Sequence, residues 1–196
     1  GDTCRVEFAA SAHGGPERLW FCFRLEAHSG SPRPTHLQLV LKHVTTMLAG
    51  YRQAEYFRPV IRTAGEDWTR LASGSVESFP DGRMNVTWSI DPPSTFCDIA
   101  LCYPYGRPEL EALVEDTGGY WRLDTIGMSQ ADRPILRLSN DYGSIGDARP
   151  GLFLIARQHS GETPGSWVLD GLLRELAGRD DAPLVWGVPL SNIDGI

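Results

Sequence analysis

His159 and Glu162 are residues of this 196-residue sequence whose types and spacing could hold a metal ion. An imidazole and a carboxylate separated by two residues on a tight turn can point at one ion, and zinc accepts both kinds of ligand. Gly161 lies between them and would let the chain turn sharply. The same spacing also fits a plain polar loop, in which Glu162 favours the N-terminus of a following helix. The spacing alone leaves both interpretations open.

Two predicted strands and a helix must position this pair. Residues 151–156 form a continuous apolar run, which is typical of a strand buried on both faces. Thr163 is predicted as the N-cap of a helix and Pro164 as its first residue. Residues 184–190 form a second apolar strand, so this segment is predicted to be a β-α-β unit with parallel strands. The predicted apolar stripe of the helix comprises Val168, Leu169, Leu172, Leu173 and Leu176.

The carboxyl ends of these two strands carry polar residues. In open α/β sheets, ligands bind beyond the carboxyl ends of the strands. Here those ends are residues 158–162 and 191–195. The metal-type pair therefore lies where this fold class is expected to do chemistry.

The first hundred residues show a different pattern. Short β-rich runs alternate with turn residues, which is typical of an antiparallel β-sandwich. An aromatic core could be supplied by Trp20, Phe21, Phe23, Trp68 and Trp88. The predicted strands are residues 5–8, 19–25, 36–43, 56–61, 83–90 and 98–101.

The pattern changes after Cys102 to alternating helix and strand. Residues 108–114 have helical spacing, and residues 122–126 and 134–139 read as two strands around a turn. We therefore expect two domains. The first is an N-terminal antiparallel β-sandwich at residues 1–103, and the second is the N-terminal part of an α/β domain at residues 104–196.

Composition limits the classes of partner. A net charge of -7, with 18 basic against 25 acidic residues, argues against non-specific binding of nucleic acid. No apolar run approaches the roughly 20 residues of a membrane span, and no signal peptide is evident. The cysteines at positions 4, 22, 97 and 102 form no CxxC pair. We expect free, mostly buried thiols in a reducing cytoplasm.

The surroundings of His159 and Glu162 add a longer pattern. Residues 156–167 read ARQHSGETPGSW and residues 188–196 read VPLSNIDGI. These segments resemble two motifs of the zinc carboxypeptidase family, most closely of its cytosolic branch. Ser160 and Ile193 stand where proline is common in that branch, at positions that supply no metal ligand. Further similar segments, in the family's order along the chain, are CYPY at 102–105, IGMS at 126–129 with RPI at 133–135, and RPV at 58–60 with WTR at 68–70.

The resemblance implies a zinc-dependent metallocarboxypeptidase, a hydrolase that cleaves C-terminal peptide bonds of peptide or protein tails. Some members of this branch remove glutamates, so acidic tails are one expected substrate class. His159 and Glu162 would be two of three protein ligands of one zinc ion. In the family the third ligand is a later His and the general base a still later Glu, so we expect both beyond Ile196. This chain by itself is then expected to be an inactive portion of the enzyme.

Other residues receive weaker assignments. Arg157 could bind an acidic substrate, or it could form a structural ion pair beside the sheet. The histidines at positions 13, 28, 36 and 43 fall in the predicted sandwich and are not expected to bind the metal.

Two other functions stay open. One is a non-catalytic module that binds a peptide or protein tail without hydrolysis. The other is a zinc amidohydrolase or deacylase on the same scaffold. Tight peptide binding without turnover would favour the first, and cleavage of acyl-amino acids rather than peptides would favour the second.

Overall fold

The computed structural model describes residues 2–11, 18, 20–28, 30, 32–47, 57–141 and 148–196. Within these ranges the chain forms twelve β-strands in three small sheets, together with two α-helices. It divides into two compact units, Gly1–Tyr103 and Pro104–Ile196.

The first unit contains two four-stranded sheets. Their orders are β1-β3-β7-β6 and β2-β8-β4-β5. The strands are β1 (Thr3–Phe8), β2 (Cys22–Glu26), β3 (His36–Leu41), β4 (Val60–Thr63), β5 (Thr69–Arg70), β6 (Ser75–Ser78), β7 (Met84–Ile90) and β8 (Phe96–Ala100). Each of the six predicted strands overlaps one of these strands. Residues 19 and 56, with which two of the predicted strands begin, lie outside the described residues. The short strands β5 and β6 were not predicted, because their residues are mostly exposed and carry no apolar alternation.

One core of apolar residues is shared by the two sheets. Leu39 of β3 and Trp88 of β7 pack in the same cluster as Cys97 and Ile99 of β8. The expectation of purely antiparallel pairing is wrong for one pair, because β1 pairs with β3 in parallel over six residues. Trp68 is not a member of this core. Its ring instead contacts Arg62, with the guanidinium carbon 4.8 Å from the ring centroid.

The second unit combines a four-stranded mixed sheet with two helices. The sheet order is β11-β12-β10-β9, with β11 and β12 parallel and the other pairs antiparallel. The predicted parallel β-α-β pairing and the predicted hairpin are confirmed. The elements are α1 (Arg107–Asp116), β9 (Arg122–Met128), β10 (Pro134–Ser139), β11 (Gly151–Ile155), α2 (Thr163–Leu176) and β12 (Leu184–Val188).

The prediction that residues 151–156 are buried on both faces is wrong. Strand β11 lies at the edge of the sheet, and Phe153 is 64% and Ile155 47% exposed. An apolar run predicts a buried strand only when neighbours cover both of its sides. In the described residues β12 is the only strand that pairs with β11.

The apolar stripe of α2 is rotated from its predicted position. Leu169 and Leu173 are buried, but Val168 is 74% and Leu172 41% exposed. The buried residues of the helix are instead Thr163, Ser166, Leu169, Asp170 and Leu173. They follow one side of the helix at spacings of three and four residues, and three of them are polar residues outside the predicted stripe. The helix also begins one residue earlier than predicted, with Glu162 as N-cap.

All four cysteines are free thiols. Burial, followed by the charge of Asp98, raises the pKa of Cys97 to about 11. The expectation of mostly buried thiols is wrong for Cys4 and Cys22, which are exposed. Neither helix of the described residues has the length and apolar character that crossing a membrane requires.

Candidate metal site

His159 and Glu162 lie on the loop that joins β11 to α2. Nδ1 of His159 is 2.8 Å from Oε1 of Glu162. The backbone N–H of His159 donates to Oε2 of the same carboxylate over 3.2 Å, and the backbone N–H of Glu162 donates to the carbonyl of His159 over 3.1 Å. The side chains are 60% and 52% exposed. The loop therefore brings the two predicted ligands together on a surface that an ion can reach.

The donor set suits a divalent metal ion. Zinc bonds to imidazole nitrogen and carboxylate oxygen at 2.0–2.2 Å, so two ligands at a tetrahedral angle are about 3.4 Å apart. The observed 2.8 Å separation is close to this value, and small rotations of two exposed side chains would make up the difference. Among the described residues no group of three or more His, Cys, Asp or Glu side chains forms, so this loop offers two ligands.

The hydrogen bond from His159 lowers the pKa of Glu162 below its ordinary value. Burial, the next largest effect, raises the pKa, whereas the backbone N–H of His159 and the charges of His159 and Arg157 lower it further. Glu162 is therefore a carboxylate at neutral pH, which is the form that binds metals.

Arg157 is only 1% exposed. Its Nε donates to the carbonyl of Ser160 over 2.7 Å, and its Nη1 donates to the carbonyl of Tyr105 over 2.8 Å. A guanidinium buried in this way is turned toward the protein backbone. These two bonds to backbone carbonyls support a structural role for Arg157, while its binding of a substrate stays a prediction.

The loop after β12 is joined to the ligand loop by hydrogen bonds. The backbone N–H of Asn192 donates to the carbonyl of Arg157 over 3.0 Å, and its Nδ2 donates to the carbonyl of Gln158 over 3.2 Å. The hydroxyl of Ser191 donates to the carbonyl of Ala156 over 2.8 Å. The two polar strand ends that the sequence pointed to are thus in direct contact.

Asp194 links this loop to the turn between β9 and β10. Its Oδ1 accepts from the hydroxyl of Ser129 over 2.6 Å, and its Oδ2 accepts from the backbone N–H of Ala131 over 3.2 Å. Asn192 accepts from the backbone N–H of Gly195 within the same turn. Asp194 and Asn192 therefore shape and connect loops.

Sequence reasoning missed the role of Tyr105. This residue is buried, its hydroxyl donates to Asp170, and its carbonyl accepts from Arg157. Its ring also packs edge-on against Trp167, with centroids 5.0 Å apart. The available signal was Asp170, an acidic residue three residues before Leu173 on the helix, because a buried carboxylate requires a partner.

The chain is similar to cytosolic carboxypeptidases along its whole length. It is 25% identical over 222 residues to cytosolic carboxypeptidase 2 of Danio rerio, which covers 100% of this chain and 30% of the relative. It is 28% identical over 216 residues to cytosolic carboxypeptidase 6 of Homo sapiens, which covers 100% of this chain and 40% of the relative. The chain thus spans less than half the length of these curated relatives. No protein-family model matches it.

Solved structures of metallo-carboxypeptidases share the fold. A metallo-carboxypeptidase from Pseudomonas aeruginosa, in complex with (2-guanidinoethylmercapto)succinic acid, has a TM-score of 0.71 and 24% identity, covering 98% of this chain and 51% of that one. A putative carboxypeptidase A from Shewanella denitrificans OS-217 has a TM-score of 0.71 and 23% identity, covering 97% and 50%. The sequence matches thus support a relationship to the cytosolic carboxypeptidases, and the solved structures show that the chain shares the fold of metallo-carboxypeptidases.

Proposed function

We propose that this chain contributes to the active site of a zinc-dependent carboxypeptidase, with His159 and Glu162 as two ligands of the zinc ion. The observation that carries the proposal is the 2.8 Å contact between Nδ1 and Oε1 on an exposed loop at the end of β11. The position of this loop supports the proposal, because ligands of α/β sheets bind beyond the carboxyl ends of the parallel strands. The names of the relatives give the reaction class.

The residues of this chain would bind the zinc ion and orient its ligands. On metal binding His159 would give up its Nδ1 hydrogen bond to Glu162 and offer the Nδ1 lone pair, so the proton of the neutral ring would sit on Nε2. Glu162 would offer Oε1 while Oε2 keeps the hydrogen bond from the backbone N–H of His159. Zinc, when bound in such a site, polarises the scissile carbonyl and lowers the pKa of a water molecule to about 7.

A catalytic zinc site has three protein ligands and an open position. Because the described residues group only two ligand-type side chains on this loop, we propose that the third ligand and the general base come from residues outside this chain. In that case the 196-residue chain binds zinc weakly and does not hydrolyse peptides. The domains proposed for it are a β-sandwich at residues 1–103 and part of a catalytic α/β domain at residues 104–196.

The proposed substrates are C-terminal tails of peptides or proteins. Acidic tails that contain Glu are proposed from the resemblance to the cytosolic branch, and so is a cytoplasmic location. The acidic net charge of -7 supports the expectation that nucleic acid is not a partner. Peptides that end in Glu, Lys or Leu, compared with acyl-amino acids, would define the substrate class.

The test uses the longer protein that contains this chain. We expect His159→Ala and Glu162→Ala each to abolish tight zinc binding, measured by elemental analysis after dialysis, and carboxypeptidase activity with it. His28→Ala and Glu175→Ala replace the same residue types at exposed positions elsewhere, and both should keep zinc and activity. Full zinc stoichiometry in either ligand variant would refute the assignment. Tail binding without turnover or zinc in the wild type would instead indicate a binding module.

A further inference from the structure

Arg157 holds an unusual backbone conformation at the start of the ligand loop. Its φ is +58°, a left-handed conformation that only His43 and Asp132 share among the described non-glycine residues. Left-handed backbone costs about 1–2 kcal/mol for a residue with a side chain. Such conformations persist where surrounding contacts enforce them. The contacts that enforce this one therefore bear on the geometry of the loop.

The guanidinium of Arg157 joins two distant carbonyls. One belongs to Ser160, between His159 and Glu162, and the other belongs to Tyr105, which is 52 residues away in sequence. The centre of the ligand loop is thereby tied to a buried point of the same unit. That point is itself fixed, because the hydroxyl of Tyr105 donates to Asp170 in α2 over 2.9 Å.

A second set of hydrogen bonds holds the loop from the other side. Asn192 donates through its backbone to the carbonyl of Arg157 and through its side chain to the carbonyl of Gln158. The backbone immediately before His159 is therefore anchored to the loop after β12. Between these anchors, His159 and Glu162 have little freedom in their backbone positions, although both side chains are exposed.

We propose that Arg157 is a positioning residue that presets His159 and Glu162 for one divalent metal ion by clamping Ser160 to Tyr105. The proposal rests on the assignment of His159 and Glu162 as ligands. The planar guanidinium donates to both carbonyls at once from a rigid fork, whereas the single ammonium of lysine lacks this geometry. Arg157→Lys therefore keeps the charge and removes the clamp.

The test titrates the chain with Zn²⁺ and follows His159 and Glu162 by NMR. Arg157→Lys is compared with wild type, with His159→Ala and with Val185→Ala, a core truncation in β12 at a residue that is not part of the ligand loop. We expect Arg157→Lys to weaken zinc binding at least about tenfold, the lower range for groups that support metal ligands. Val185→Ala should bind zinc as the wild type does.

A second readout needs no metal. In the zinc-free chain, the backbone amides of His159 and Glu162 should exchange with solvent several-fold faster in Arg157→Lys. The paired amides of β10 and β12 should keep their protection in that variant. Asn192→Ala should have a similar effect on the loop amides, because it removes the hydrogen bond to Gln158.

The outcomes distinguish the positioning role of Arg157 from the assignment of His159 and Glu162 as ligands. Wild-type zinc affinity and amide exchange in Arg157→Lys, together with lost binding in His159→Ala, would overturn the positioning role and leave the ligands in place. Equal losses in Val185→Ala and Arg157→Lys would also overturn it, because they would show an effect of overall stability. Zinc binding that is unchanged in His159→Ala would refute the ligands, while the amide exchange would still report whether Arg157 holds the loop.

Discussion

The hydroxyl of Tyr105 donates a 2.9 Å hydrogen bond to Oδ2 of Asp170, and both residues are buried. The other oxygen of Asp170 accepts from Nε of Arg174 over 2.6 Å. Each polar group of this network therefore has a partner, which a buried carboxylate requires. Since the carbonyl of Tyr105 accepts from Arg157, the same residue connects the interior of α2 to the metal-ligand loop.

We predict that Tyr105→Phe lowers the free energy of unfolding by about 1–3 kcal/mol at pH 7, the usual cost when a buried polar group loses its partner. The ring remains, so the contact with Trp167 should be kept. Urea denaturation followed by tryptophan fluorescence would measure the change. A variant as stable as the wild type would show that Asp170 is satisfied through Arg174 alone.

The buried hydroxyl of Tyr105 gives a pH dependence with a definite sign. Burial first, then the charge of Asp170 and the hydrogen bond to it, raise the pKa of Tyr105 above its ordinary value. Because the folded pKa exceeds the unfolded one, the stabilisation is complete below about pH 10 and is lost as pH rises further. Wild type should therefore lose stability between pH 10 and 11 more steeply than Tyr105→Phe. Parallel curves for the two proteins would contradict this assignment.

How far the sequence predicts this fold depends on which neighbours an element has. The hairpin of β9 and β10 and the parallel pair of β11 and β12 follow from local patterns and short connections. The exposure of β11 does not follow, because an apolar run does not reveal whether its strand lies at an edge. Similarly, Asp170 was not part of the predicted apolar stripe, although it is buried and bonded to Tyr105 and Arg174.

The candidate site likewise combines features that follow from local sequence with features that depend on tertiary structure. His159 and Glu162 are three residues apart, so their meeting on one turn could be inferred from spacing. The partners of Arg157 could not, because Tyr105 lies 52 residues away and is reached only after the sheet and helices assemble. The direction of the Arg157 side chain therefore depends on tertiary structure.

In the first unit, Asp98 is placed between two arginines on the sheet β2-β8-β4-β5. Arg24 binds both of its oxygens, at 2.7 and 3.0 Å, and Arg62 adds a bond of 2.9 Å. The hydrogen bond from Arg24 is the main cause that lowers the pKa of Asp98, and Arg62 lowers it further. A folded pKa below the unfolded one means that the stabilisation is present above about pH 4 and is lost as pH falls through the folded value.

We predict that Asp98→Asn lowers the free energy of unfolding by about 1–3 kcal/mol at pH 7, because charge-assisted hydrogen bonds to a largely buried group are lost. The difference from wild type should shrink as pH falls toward 2, which urea denaturation at several pH values would measure. Asp81→Asn is the matched control, since Asp81 pairs with Arg83 at an exposed site and should change stability little. A difference that persists unchanged in acid would rule out the charge as its origin.

Gly74 allows a test of packing in the first unit. A Cβ atom added there would lie 2.5 Å from Cγ1 of Val86, 2.8 Å from the carbonyl oxygen of Thr87 and 2.8 Å from Nε1 of Trp88. The carbonyl belongs to β7, so relief requires movement of a paired strand. We predict that Gly74→Ala lowers the free energy of unfolding by about 1–3 kcal/mol, the usual cost of overpacking. Thermal unfolding would measure it.

The matched control for Gly74 is Gly151→Ala at the start of β11. No atom lies within 4 Å of the added Cβ at that position, and its φ is outside the left-handed region. There the substitution should be neutral or stabilising by up to about 1 kcal/mol, because alanine restricts the unfolded chain more than glycine does. Equal unfolding midpoints for the two variants would show that β7 yields at Gly74 without cost, and would contradict tight packing around Trp88.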